Sequence, residues 1–305
     1  MKWLVAIVGP TAVGKSRLAV DIAQKLGGEI VGADSRQVYR YMDVGTAKPR
    51  SAERDLVPHH LIDIIDPDQD FNLARYQELA YRAIGDIQGR GKLPLLVGGS
   101  GLYVWSMVEG WRIPRVSPNS KLRQEMEDRA AREGVDGLYR ELRGLDPVAA
   151  SGIDSRNVRR VIRALEVCLG TGKTYSSLQK KRPRFSTLTV GLTTGRKDLY
   201  YRIDRRVEAM MEGGLVEEVQ GLARKGYNFN LPSMSGIGYR QIGIYLRGEV
   251  GLKVAMEQIK LDSHRFARSQ YAWFKPSDER IHWFGRADSR AEEIARMISG
   301  QMVMP

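Results

Sequence analysis

Gly9-Pro10-Thr11-Ala12-Val13-Gly14-Lys15-Ser16 decides the fold. The octapeptide fits G-x-x-x-x-G-K-[ST], and its surroundings fit with it. Trp3–Val8 before it is an apolar run of strand length. Residues 16–26 after it set Leu18, Ala19, Ile22, Ala23 and Leu26 at helical spacing and stop at Gly27-Gly28. A glycine-rich turn between strand and helix lets the backbone wrap phosphate oxygens. Its successive N–H groups and the helix N-terminus supply positive potential. Lys15 would reach the terminal phosphates, and the Ser16 hydroxyl would ligate Mg²⁺. The pattern implies a diphosphate without saying whether a nucleotide carries it.

Working outward, the same rhythm repeats. Residues 29–33 read as a second strand, and residues 61–65 and Leu93–Val97 as further ones. Residues 73–88 between them read as a helix. Strand, helix, strand in this order means βαβ units and a parallel sheet. The middle then changes character. Pro114, Pro118 and Asn119 mark a break, residues 120–170 look almost wholly helical, and residues 180–183 form a basic break. Residues 187–192 resemble one more strand, and residues 199–225, 237–247 and 252–274 look helical. The expected fold is α/β: a P-loop parallel-sheet core with a mainly helical insertion. Its expected parts are residues 1–113, the insertion at 114–184, and the completion of the core with C-terminal helices at 185–305.

Composition limits the possibilities. The chain of 305 residues is 42% hydrophobic and 28% charged, an ordinary globular balance. Cys168 stands alone, which excludes an intrachain disulfide framework and a Cys-rich zinc module. No apolar run approaches the ~20 residues that span a bilayer, so a cytoplasmic protein is expected, and a monomer with it. The net charge of +12 is concentrated. Residues 1–110 hold 13 basic and 13 acidic side chains, whereas residues 156–206 hold 14 and 3. A small neutral substrate does not require such a stretch; a polyanion does, through phosphate contacts and counterion release.

Several side chains are candidates for chemistry. Asp34 directly follows the second strand, and ligands of open α/β sheets bind beyond the carboxyl ends of strands. It can be a general base, a magnesium ligand, or simply a turn residue. Gly98-Gly99-Ser100-Gly101 follows another strand and would let a phosphate or base approach a hydroxyl. In residues 155–169, Arg156, Arg159, Arg160 and Arg163 share one helical face, with Val161, Ile162 and Leu165 on the other. No acid on that face compensates them, which suits phosphate or base contacts. Arg202, Arg205 and Arg206 open a later helix, from which one could reach a diphosphate. His59 and His60, being adjacent on a strand, point apart and favour a structural role. Trp273-Phe274 reads better as a core-closing pair than as a stacking platform.

Taken in order, the octapeptide, Asp34-Ser35-Arg36-Gln37-Val38-Tyr39-Arg40, Gly45-Thr46-Ala47-Lys48-Pro49, His59-His60-Leu61-Ile62-Asp63, residues 98–103, Arg163-Ala164-Leu165-Glu166-Val167 and Gly238-Tyr239-Arg240 resemble the bacterial tRNA dimethylallyltransferases. The resemblance covers nearly the whole chain. It implies transfer of dimethylallyl from its diphosphate to N6 of adenosine 37 in tRNA, with Mg²⁺, the helical insertion helping to hold the anticodon stem-loop. It implies that Asp34, Ser100 and Thr11 act at the reacting centre, Asp34 as the base. Gly9, Pro10, Thr11, Ala12, Val13, Gly14, Lys15, Ser16 and Arg202 would bind the diphosphate. Asp34, Ser35, Arg36, Gln37, Ser100, Arg123, Arg159, Arg160, Val161, Ile162 and Arg163 would contact tRNA. Two positions depart from the family pattern: Ser100 replaces a threonine, and Ser269 stands where a basic residue is usual. A P-loop metabolite or nucleoside kinase, or an adenylate isopentenyltransferase acting on free nucleotide, would share the phosphate loop. A kinase leaves the arginine-faced helix without a role.

Overall fold

The computed structural model describes residues 2–114, 116, 119–285 and 290–303. The expected break at Pro118 lies outside the described residues. The chain divides into two compact units: residues 1–108 with 184–305, and residues 109–183.

The first unit opens with β1 (Trp3–Val8), α1 (Lys15–Leu26), β2 (Gly28–Gly32), α2 (Ser51–Leu56), β3 (His59–His60), α3 (Leu73–Gly89), β4 (Leu93–Val97) and α4 (Gly101–Val108). The second unit holds α5 (Ser120–Glu133), α6 (Asp136–Leu145), α7 (Pro147–Gly152), α8 (Val158–Thr171) and α9 (Tyr175–Leu178). The first unit resumes with β5 (Ser186–Leu192), α10 (Arg196–Glu212), α11 (Leu215–Arg224), α12 (Tyr239–Leu246), α13 (Leu252–Trp273), β6 (Ile281–Phe284) and α14 (Ala291–Val303).

The strands form one parallel sheet in the order β3-β2-β4-β1-β5-β6. Every residue of β2 and β4 is buried, as expected of strands covered on both faces. Val5, Ile7, Leu93, Leu95, Val97, Leu188 and Val190 alternate along their strands and meet Leu18 and Ile22 of α1 and Ile294 and Ile298 of α14. A second core joins residues 38–65 to α10–α13 through Val38, Met42, Val207, Leu215, Val219 and Ile242. Because β2, β4 and β1 are neighbours, the chain segments leaving their carboxyl ends converge. Those segments carry Asp34, Ser100 and the octapeptide.

The structure corrects three expectations. Residues 61–65 do not form a strand. Leu61 and Asp63 adopt φ of 64° and 57°, which breaks the extended run, so the pairing strand is His59–His60 against Ile30 and Val31. Residues 199–225 are not one helix, because Gly213-Gly214, with Gly214 at φ 90°, separates α10 from α11. The sheet also gains β6 and the fold gains α14, both unread in the sequence. No helix is long and apolar enough to cross a membrane among the described residues.

Candidate functional site

The phosphate loop is shaped by its glycines and by what lies against it. Gly9 has φ 136°, and a Cβ there would stand 2.3 Å from Leu192 O, so no side chain fits. Gly14 caps α1 at φ 106° without a side-chain hydrogen bond, leaving the first amides of the helix for an anion. Lys15 turns its ammonium inward to Pro10 O at 2.7 Å. Loss of hydration there, reinforced by the Arg206 charge and opposed by Asp34, holds the Lys15 pKa down at about 7.

Two arginines of α10 close on the loop. Arg202 Nε donates to Ala12 O at 2.8 Å, and Arg206 Nη1 donates to Thr11 Oγ1 at 3.2 Å. Their spacing of four residues puts both on one helix face, while Arg205 points elsewhere and pairs with Glu208. Arg202, the candidate diphosphate clamp, thus lies against the loop, and Arg206 beside it lines the adjoining cavity. Buried Gln270 of α13 accepts from Thr11 N at 2.7 Å and donates to Gly99 O at 3.0 Å. One amide thus ties the phosphate loop to the second glycine loop across most of the chain.

Asp34 leaves β2 in a tight turn. Its Oδ1 accepts from Arg36 N at 2.8 Å and Gln37 N at 3.4 Å, and Oδ2 takes no hydrogen bond among the described residues. Ser35 N donates to Ser100 Oγ at 3.1 Å, so the Ser100 hydroxyl oxygen fixes the turn that presents Asp34. Arg36 donates to Pro232 O at 2.6 Å, Ser233 O at 3.2 Å and Ser235 Oγ at 3.2 Å, bracketing the loop before α12. Gln37 Nε2 donates to Thr46 O and Ala47 O. Thr11, Asp34, Ser35, Arg36, Ser100 and Arg206 line a cavity of about 300 Å³. Its remaining wall includes Ile203, Val207, Met210, Ile259 and Phe266, all apolar. The cavity therefore combines an acid, cations and hydroxyls with a hydrocarbon surface.

Other candidates fall outside it. His60 pairs with Glu29 at 2.7 Å and His59 with Val57 O at 2.8 Å, both in local supporting roles. Phe274 is buried, and Trp273 packs against Gly101 so closely that a Cβ there would meet its Cγ at 2.2 Å. Ser269 Oγ donates to Phe266 O within its own helix.

The helical unit reorganises the basic face expected from the sequence. The expected tRNA contacts Val161 and Ile162 are 0% and 4% exposed and packed with Met126, Leu138 and Leu142, so their side chains serve the core of the unit. Arg123 and Arg163 are not uncompensated: both grip Glu166, at 2.8 and 2.5 Å, and that carboxylate is buried. The two guanidiniums and Asn119 N hold its pKa below the usual range against the burial that raises it. Arg156 lies before the helix and pairs with Asp154 at 2.8 Å. Arg159 and Arg160 stay exposed on the first turn, in no ion pair among the described residues.

Comparison with known proteins agrees with this geometry. The model of the IPP transferase family matches residues 37–277, and that of isopentenyl transferase matches residues 2–59. The chain is 54% identical over 273 residues to the tRNA dimethylallyltransferase of Roseiflexus castenholzii, covering 89% of each. It is 48% identical over 303 residues to that of Herpetosiphon aurantiacus, covering 99% of this chain and 95% of the relative. The full-length tRNA isopentenylpyrophosphate transferase of Bacillus halodurans shares the fold at TM-score 0.74 and 41% identity, covering 99% of this chain and 97% of its own. A eukaryotic dimethylallyltransferase acting on tRNA does so at TM-score 0.83 and 28% identity, covering 99% and 80%. A parallel sheet that gathers a phosphate loop, an acid and an apolar wall, shared along nearly its whole length with these enzymes, places this chain in the tRNA dimethylallyltransferase family.

Proposed function

We propose that this chain transfers a dimethylallyl group from dimethylallyl diphosphate to N6 of adenosine 37 in tRNA. The observation that carries the reading is one cavity where the Asp34 carboxylate, the phosphate loop and an apolar wall meet. The diphosphate would lie on the loop amides, Lys15, Arg202 and Arg206, and the hydrocarbon against Ile203, Val207 and Met210. The target base must leave its stack to enter. N6 is a weak nucleophile because its lone pair is delocalised. As the C–N bond forms, the allylic C–O bond breaks and pyrophosphate departs with the electron pair. The N6 proton passes to Asp34 Oδ2, the oxygen not engaged by the turn. Loop amides and cations take up the charge that grows on the leaving group.

A divalent cation, Mg²⁺, fits the donor set. Ser16 carries an exposed hydroxyl on the first turn of α1, and no cluster of three His, Cys, Asp or Glu offers a protein-only site among the described residues. Ser16 and the diphosphate's own oxygens would hold the ion, which when bound supplies further neutralisation of the leaving group. Arg159 and Arg160 would contact the tRNA stem-loop, and the chain would act as a cytoplasmic monomer. The test is mass analysis of tRNA adenosines after incubation with dimethylallyl diphosphate or with ATP. Prenylated tRNA supports the reading. Transfer of a γ-phosphate, or prenylation of free AMP alone, defeats it.

A further inference from the structure

One carboxylate beside the site has no part in that chemistry. Glu218 lies on α11, and its two oxygens collect four donors. Asp43 N, Val44 N and Gly45 N donate at 2.8, 2.7 and 3.1 Å, and Tyr239 OH donates at 2.6 Å. No cation shares this carboxylate among the described residues. Its hydrogen-bonding capacity is directed to one loop and one phenol. Burial and the Glu218 charge keep the Tyr239 phenol protonated, hence a donor.

That loop is a wall of the cavity: Gly45, Thr46, Ala47 and Tyr239 line it together with Asp34 and Ser100. Three further features make its position exacting. The Tyr239 ring lies so close to Gly45 that a Cβ there would stand 2.5 Å from Cε2. Gln37 joins Thr46 O and Ala47 O to the Asp34 turn, so a displaced loop would carry that turn with it. Buried Lys48 binds Tyr39 O, Asp43 Oδ1 and Asp63 Oδ1, so it holds the Asp43 side chain, while Glu218 holds the backbone amides of residues 43–45. The phosphate loop takes its restraints from Gln270, Arg202 and Arg206 instead.

We propose that Glu218 is a positioning residue that holds the Asp43–Gly45 amides and Tyr239 in register and so sets the acceptor side of the cavity, leaving the phosphate loop to its separate restraints. The inference rests on the prenyl-transfer reading. In Glu218→Gln one acceptor oxygen becomes an NH₂ that faces N–H and O–H donors. Varying tRNA and dimethylallyl diphosphate separately, kcat/KM for tRNA should fall about ten- to hundredfold, with KM for the diphosphate within about twofold. Tyr239→Phe keeps the ring and loses one donor, so it should shift the same way and less. Unchanged tRNA kinetics in both variants would overturn the proposal, as would an equal loss toward both substrates. Should Glu218→Gln fail to fold by thermal melting, Tyr239→Phe decides alone by the same criteria. A wild-type chain that prenylates no tRNA would remove the functional reading itself, a failure visible before any variant is made.

Discussion

At Lys15 two influences oppose one another: dehydration and Arg206 expel its proton, and Asp34 retains it. The ammonium is charged below about pH 7 and neutral above, whereas an exposed lysine holds its proton to about 10.5. Pyrophosphate prefers the charged form, so binding above pH 7 must take up a proton. Calorimetry at pH 8 in two buffers of different ionisation enthalpy should show uptake approaching one proton per site, vanishing at pH 6. The same shift affects folding. Between pH 7 and 10.5 the unfolded chain binds more protons at this residue, so its contribution to stability rises with pH there. Asp34→Asn keeps the turn acceptor but removes the proposed base, and kcat should fall about 10²- to 10⁴-fold with little change in pyrophosphate affinity. The placement of Lys15 and Asp34 in one site was legible because the loop and Asp34 are local patterns at strand ends. Arg206 was legible only as one of three arginines opening a helix, and Gln270 and Glu218 not at all, since each of these two acts on a partner 170 or more residues away.

Among the elements, α8 changed most between sequence and structure. Helical spacing identified its charged and apolar faces, yet nothing in the spacing showed that Asn119 and Arg123 of another segment would converge with Arg163 on Glu166. Two consequences separate cleanly. Glu166→Gln leaves two partly exposed guanidiniums to hydrate, and should lower stability to urea by about 2 kcal/mol. Arg159→Ala with Arg160→Ala should leave stability within about 0.5 kcal/mol, since surface positions contribute little. That double variant should weaken tRNA binding and lower its salt slope by about 1.4 to 1.8, the value for two lost phosphate contacts. Strand legibility followed the same logic. β1 and β4 are continuous apolar runs and read directly, while β6, with exposed His282, lies at the sheet edge and carries no such signal.

For the molecule as a whole, the second unit is an insertion whose ends meet. Arg112 N donates to Lys180 O at 2.7 Å and Arg182 N to Gly110 O at 2.9 Å, so the chain leaves and returns through one antiparallel neck. Replacing residues 111–181 by two or three glycines should therefore preserve the first unit. Such a protein is expected to melt cooperatively and to bind pyrophosphate within about threefold of the full chain, while tRNA affinity falls by at least about tenfold. The insertion also lies between β1 and β5, its partner along six residues of register. On a ribosome, β1 emerges before β5, and one side of it stays unpaired until residues 186–192 follow. At ~5–20 residues per second this interval is on the order of ten to forty seconds. During that time a run of six mostly buried apolar residues offers an open hydrogen-bonding edge to other nascent chains. The insertion thus lengthens a waiting period in biogenesis, and a synthesis pause placed within it would prolong the time this chain is vulnerable to aggregation.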